Sequence, residues 1–133
     1  IHVIVALGKA IEEHAAEGGV AGRGKRYRDN AKVLIDGMRA MGFRTLLSDR
    51  LQAPIIITFH MPTDPRFVFQ QFYDGLKDRG YVIYPGKLTV ADSFRMGCIG
   101  RLYPEHMKGA LAAVREVLDE MRVSNGGPAL AAE

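Results

Sequence analysis

Over the first forty residues, apolar side chains recur at helical spacing. Val3, Leu7, Ala10 and Ile11 share one face of residues 3–16 (VIVALGKAIEEHAA), which predicts a helix stopped near Gly18 and Gly19. A second helix is expected from Val20 to Met41. Positions 20, 27, 31, 34, 35, 38 and 41 make one apolar stripe there, Arg26, Arg28, Asp29, Lys32 and Arg39 face away, and Gly42 ends it. Then the period changes. Residues 44–47 are a short strand candidate, and 54–60 (PIIITFH) is rich in β-branched residues, with Pro54 tolerable at its start. The run 61–65 (MPTDP) is turn chemistry in which Asp64 can cap a helix with Pro65 in its first turn. That helix carries Phe69, Phe72, Tyr73 and Leu76 on one face and ends at Gly80. Residues 81–84 (YVIY) and 93–99 (SFRMGCI) read as strands, with Pro85 and Gly86 breaking the first. A last helix over 105–122 repeats Met107, Leu111, Val114, Leu118 and Met121, with Pro104 near its start.

The expected order is α, α, β, β, α, β, β, α, without an internal repeat. Two strand pairs separated by a helix imply an α/β (α+β) domain: a small, mostly antiparallel sheet of about four strands with helices packed on one face. Residues 1–17 are expected to be a helix leading in from a preceding part of the protein, because its apolar face has no obvious partner downstream. Residues 18–123 make the domain, and 124–133 (SNGGPALAAE) read as a flexible tail.

Composition narrows this picture. At 133 residues and 47% apolar content the chain can bury one core. No stretch reaches the roughly 20 apolar residues that span a bilayer, and the short run at 3–7 lacks the features of a signal peptide. The expectation is a soluble, cytoplasmic protein that starts at an internal point of a longer chain. The single cysteine, Cys98, excludes an internal disulfide and fits a reducing compartment. The formal charge of +3 comes from 18 basic residues interleaved with 15 acidic ones, so a nucleic-acid partner is not expected.

Several segments could carry chemistry. Residues 19–25 (GVAGRGK) match the G-x-x-x-x-G-K spacing of a phosphate loop, but a helix precedes it and Arg26 replaces the hydroxyl that would bind magnesium. It reads instead as a glycine joint with Arg23, Lys25, Arg26 and Arg28 on a solvated face. The four histidines lack ligand spacing, so no metal is expected. Cys98 reads as a packed thiol. Two features stand out. The loop 84–89 (YPGKLT) leaves a strand with a glycine that lets backbone approach a ligand and with Lys87 beside it. Arg95 is a charge inside the apolar run FRMGCIG, and its planar fork suits a carboxylate or phosphate; an outward-facing or ion-paired arginine is the equal alternative.

The segments GGVAGRGKRY, APIIITFHMP, FYDGLKDRGYVIYPGKLT and DSFRMGCIG together resemble the C-terminal region of the 2-aminoethylphosphonate:pyruvate transaminases. This family belongs to the class V group of fold type I aminotransferases, which use pyridoxal 5'-phosphate. The resemblance covers nearly all of residues 1–123. It implies the C-terminal small domain of a homodimeric enzyme that transfers an amino group from 2-aminoethylphosphonate to pyruvate, giving phosphonoacetaldehyde and L-alanine. It also implies that the Schiff-base lysine and most of the cofactor site lie upstream of Ile1, so the fragment alone should be inactive, with no catalytic residue of its own. Carried over by position, Arg95 matches the arginine that holds the substrate's carboxylate or phosphonate, and Tyr84, Gly86 and Lys87 would border the same cleft. Alternatives are another class V transaminase of the alanine or serine:glyoxylate type, and an independent module binding small anions.

Overall fold

Four helices and three strands follow one another as α1 (His2–Ala16), α2 (Gly19–Ala40), β1 (Ile56–His60), α3 (Phe69–Asp78), β2 (Tyr84–Pro85), β3 (Ser93–Gly97) and α4 (Pro104–Glu120). The computed structural model describes residues 1–86 and 92–128. The sheet order is β1-β3-β2, antiparallel throughout, with Phe59 opposite Phe94 and Tyr84 opposite Arg95. This is the expected α+β layout, and alternation along the strands sorts its two faces. Ile57, Phe59, Phe94 and Met96 point into the core, where they meet Leu34 and Met38 of α2, Phe72 and Leu76 of α3, and Val114 and Val117 of α4. Phe94 lies at the centre of an aromatic cluster, with ring centroids 5.4 Å from Phe72 and 5.7 Å from both Phe43 and Phe59. Burial of such rings is the largest single favourable contribution a small core can draw on.

The helices follow their apolar stripes. The α4 start is as expected, with Pro104 at its first position and the imidazole Nδ1 of His106 accepting the Tyr103 backbone N–H at 3.0 Å. Three other elements depart from expectation. The strand at 44–47 shrinks to a bridge between Thr45 and Phe59, flanked by hydrogen bonds from Leu46 N to Thr58 O and from His60 N to Arg44 O, so the fourth strand is only an edge fragment. Asp64 does not cap α3. Its carboxylate accepts the Arg66 N–H and grips the Arg66 guanidinium, and the helix starts only at Phe69, after Val68. Residues 81–83 are not strand, because the Tyr81 N–H returns to Leu76 O to close the end of α3; pairing begins only at Tyr84.

The tail expectation also changes for its first half. Gly126 is buried and donates to Met41 O at 2.9 Å, while Thr63 N donates to Gly127 O at 3.4 Å, so 124–128 is held against the end of α2. By contrast α1 contributes nothing to the core: none of its residues is buried, and α2 is its principal neighbour. Among the described residues no helix is long and apolar enough to cross a membrane.

Candidate functional site

Arg95 lies in the middle of the central strand, on the face turned away from the helices. Its neighbours in sequence, Phe94 and Met96, are buried in the core, and alternation therefore sends Arg95 to the far face. Cross-strand pairing aligns it with Thr58 on one side and Tyr84 on the other, a row in which none of the three belongs to the core. Its guanidinium reaches over β2, where Nη2 donates to Pro85 O at 3.3 Å. Nε is buried without a hydrogen-bond partner, and Arg95 forms no ion pair among the described residues. Arg26, Arg39, Arg66 and Arg79 all have carboxylate partners. An arginine held by one carbonyl, with a buried nitrogen to spare, has the donors an oxyanion needs.

The other expected site residues divide. Tyr84 stands beside Arg95, 56% exposed. Gly86 is explained within the protein: its N–H donates to Ser93 O at 2.8 Å, and a Cβ there would collide with the carbonyl and hydroxyl of Ser93. Ser93 is buried on the Arg95 side of β3, and its hydroxyl has no partner among the described residues. Lys87 lies outside the described residues. Cys98 is buried against Ile55 O, and burial pushes its thiol up to about 11, which makes it a poor nucleophile.

The joint at 19–25 is the expected solvated basic face only in part: Lys25 and Arg28 are exposed, whereas Arg23 and Arg26 are half-buried. It forms the first turns of α2, and Arg23 and Arg26 both reach back across the corner to Glu17, whose carboxyl they hold at about 2, Arg26 contributing most. With Tyr27, Arg101 and Tyr103 these residues line a cleft of about 620 Å³, separate from Arg95. Sequence reading missed this cluster because Glu17 and Arg26 are nine residues apart, across a change of chain direction, and so fall outside the helical i,i+4 rule. Asn30, a polar residue inside the apolar stripe of α2, was the available sign: it is fully buried and donates to Cys98 O and Leu102 O.

Among the described residues the lysines are exposed on helices, with Lys9, Lys25 and Lys32 in ion pairs with Glu12, Asp29 and Asp36.

Comparison with known proteins shows what the chain is similar to. Over 127 residues, 96% of its length, the chain is 51% identical to 2-aminoethylphosphonate–pyruvate transaminase of Rhizobium meliloti, and over 122 residues it is 49% identical to that of Pseudomonas fluorescens. The chain is homologous to about one third of these transaminases. It spans 33% of the length of each of these two relatives, which are named for the whole enzyme. No protein-family model matches the chain. Among solved structures, ureidoglycine-glyoxylate aminotransferase of Bacillus subtilis superposes on 88% of the chain and 30% of its own, with a TM-score of 0.76 at 24% identity. An aspartate aminotransferase of Thermus thermophilus covers 72% of the chain and 26% of its own, with a TM-score of 0.60 at 22% identity. These two establish a shared fold with a part of known aminotransferases.

Proposed function

We propose that this chain is the C-terminal small domain of a pyridoxal phosphate-dependent transaminase that moves the amino group of 2-aminoethylphosphonate to pyruvate, releasing phosphonoacetaldehyde and L-alanine. The observation that carries the site assignment is Arg95, an arginine on the non-helical face of the sheet that has, among the described residues, no carboxylate partner and a buried, unbonded Nε. The identity to transaminases of this name over nearly the whole chain supports the substrate class. Phosphonate and carboxylate occupy one position in alternate half-reactions, and a guanidinium can present two parallel N–H donors to either. Tyr84 borders that position, and Gly86 lets β2 run close to β3 so that the row stays narrow. The cofactor and its lysine belong to the part of the protein outside residues 1–133, so the fragment alone is inactive. α1 leads to that part, residues 18–123 form the small domain, and the whole enzyme works as a cytoplasmic homodimer.

Kinetics of the full-length protein carrying Arg95→Ala test the assignment. Loss of a charged partner at a buried contact costs about 2 to 5 kcal/mol, so kcat/KM should fall roughly 30- to 4000-fold for both aminophosphonate and pyruvate. Arg95→Lys should recover only part of this, because an ammonium cannot form the two-pronged contact. Unchanged kinetics in Arg95→Ala would remove the residue from the site, and a preference for glyoxylate over pyruvate would move the enzyme to the alanine or serine:glyoxylate type.

A further inference from the structure

The corner between α1 and α2 is tied more firmly than a linker requires. Two successive glycines make the turn, Gly18 at φ 99° and Gly19 at φ 65°, in the left-handed region that side-chain-bearing residues avoid. Gly22 then packs against the end of α1 so closely that a Cβ would collide with Glu17 O. The Glu17 carboxylate, the last side chain before the turn, receives Arg23 Nε at 2.6 Å, Arg26 Nε, and Arg26 Nη2 at 3.2 Å. The remaining nitrogen, Arg26 Nη1, donates to Gly100 O at 2.5 Å and Leu102 O at 2.9 Å. The guanidinium lies 5.2 Å from the Tyr27 ring and 5.1 Å from the Tyr103 ring, and its side chain is only 12% exposed. One turn later Asn30 donates to Cys98 O and Leu102 O. A single cation thus joins the end of α1 to Gly100 and Leu102, in the segment that follows Gly97 at the end of the strand carrying Arg95.

Among the described elements α2 is the principal neighbour of α1. The apolar residues of α1 are open to solvent, with Val3 81% and Ile4 73% exposed, so its direction depends on this corner. We propose that Glu17 and Arg26 form a latch that sets the angle at which α1 leaves the domain and couples that angle to the strand carrying Arg95. The functional half of this rests on the proposed function, in which α1 leads to the cofactor-bearing part and Arg95 meets the substrate. Arg26 is then a positioning residue: it touches no substrate, but it holds Arg95 in register with the rest of the enzyme. The geometry suits the task. A planar guanidinium can satisfy a carboxylate with one edge and two carbonyls with another, which a lysine ammonium cannot do from one place.

The angle can be read directly by pulsed electron-spin distance measurement on the chain, at a concentration where sedimentation velocity shows a monomer. Labels at Ala6→Cys and Arg115→Cys in a Cys98→Ala background, diluted with unlabelled chain so that only intramolecular pairs are seen, span α1 and α4. The parent should give one narrow distance. Glu17→Gln, which removes the charge, and Gly22→Ala, which pushes Glu17 O away from the other side, should each broaden it while circular dichroism shows the helices intact. A broad distribution in the parent, or an unchanged narrow one in both variants, overturns the latch. In the full-length protein Glu17→Gln should raise KM several-fold for aminophosphonate and pyruvate alike and leave kcat nearly unchanged, since substrate is misplaced rather than chemistry removed. A broadened distance with KM unchanged overturns the coupling to Arg95. Failure of the proposed function is recognised separately, by Arg95→Ala kinetics, which do not affect the distance measurement.

Discussion

The carboxylate of Glu17 carries a pH signature of its own. Hydrogen bonds from Arg26 and then Arg23 lower its pKa from 4.5 to about 2. In the unfolded chain this group takes a proton as pH falls below about 4.5; in the folded chain it resists until about 2. Between these values acid favours the unfolded state, so the stabilisation from Glu17 is complete above pH 4.5 and gone once pH has fallen through about 2. Asp64, held at about 2 by Arg66, titrates over a similar window, so acid unfolding of the parent reports both groups. Substituting Glu17→Gln separates them. Urea midpoints should show the parent more stable than the variant by a constant margin above about pH 5, with the margin closing between about 4.5 and 2. A margin independent of pH would mean that the charge of Glu17 is not what Arg23 and Arg26 bind. Arg95 offers the opposite case, a cation with no ion-pair partner among the described residues; under the proposed function that place is the substrate's.

Among the elements, the sheet and its covering helices meet through aromatic rings. Phe94 is fully buried, with Phe43, Phe59, Phe69 and Phe72 all within 6.2 Å between ring centroids. Phe94→Ala should cost about 3 to 5 kcal/mol in urea unfolding, the loss expected for a buried ring and the cavity it leaves; a loss below about 1 kcal/mol would show that the cluster collapses freely around the gap. This part of the fold was legible in the sequence because Phe69, Phe72 and Leu76 keep helical spacing while Phe94 and Met96 alternate with Arg95. For Arg95 the sequence left two readings level, a ligand-binding fork and an outward-facing or ion-paired side chain, and it is the pairing of β3 with β1 and β2 that sends it to the outer face. What sequence pattern could not supply was pairing. Residues 81–83 have strand composition, yet the α3 end turn consumes them, and 44–47 has room for only a bridge beside β1. The contact of Glu17 with Arg26 depends on the direction the chain takes through Gly18 and Gly19, which no periodicity encodes.

For the molecule as a whole, α1 is the unfinished part. Ile4, Leu7 and Ile11 lie three and four residues apart, on one stripe of a 15-residue helix, and are 73%, 59% and 59% exposed. Helices of about 12 to 15 residues are marginal without a packed face, and a contiguous apolar stripe of this kind marks a surface that another surface covers. The relatives are about three times as long as this chain, which supports placing that cover in the remainder of the polypeptide. Two consequences separate this reading from a domain complete in itself. The chain alone should self-associate as its concentration rises in sedimentation velocity, and Ile4→Lys with Ile11→Glu, which leaves net charge unchanged, should keep it monomeric. In the full-length protein the same pair should lower the thermal midpoint, because there the stripe is buried and the new charges lose their water. A parent chain that stays monomeric at every concentration, together with a full-length protein indifferent to the two charges, would mean that α1 is solvated by design and that the Glu17 corner holds it for a different purpose.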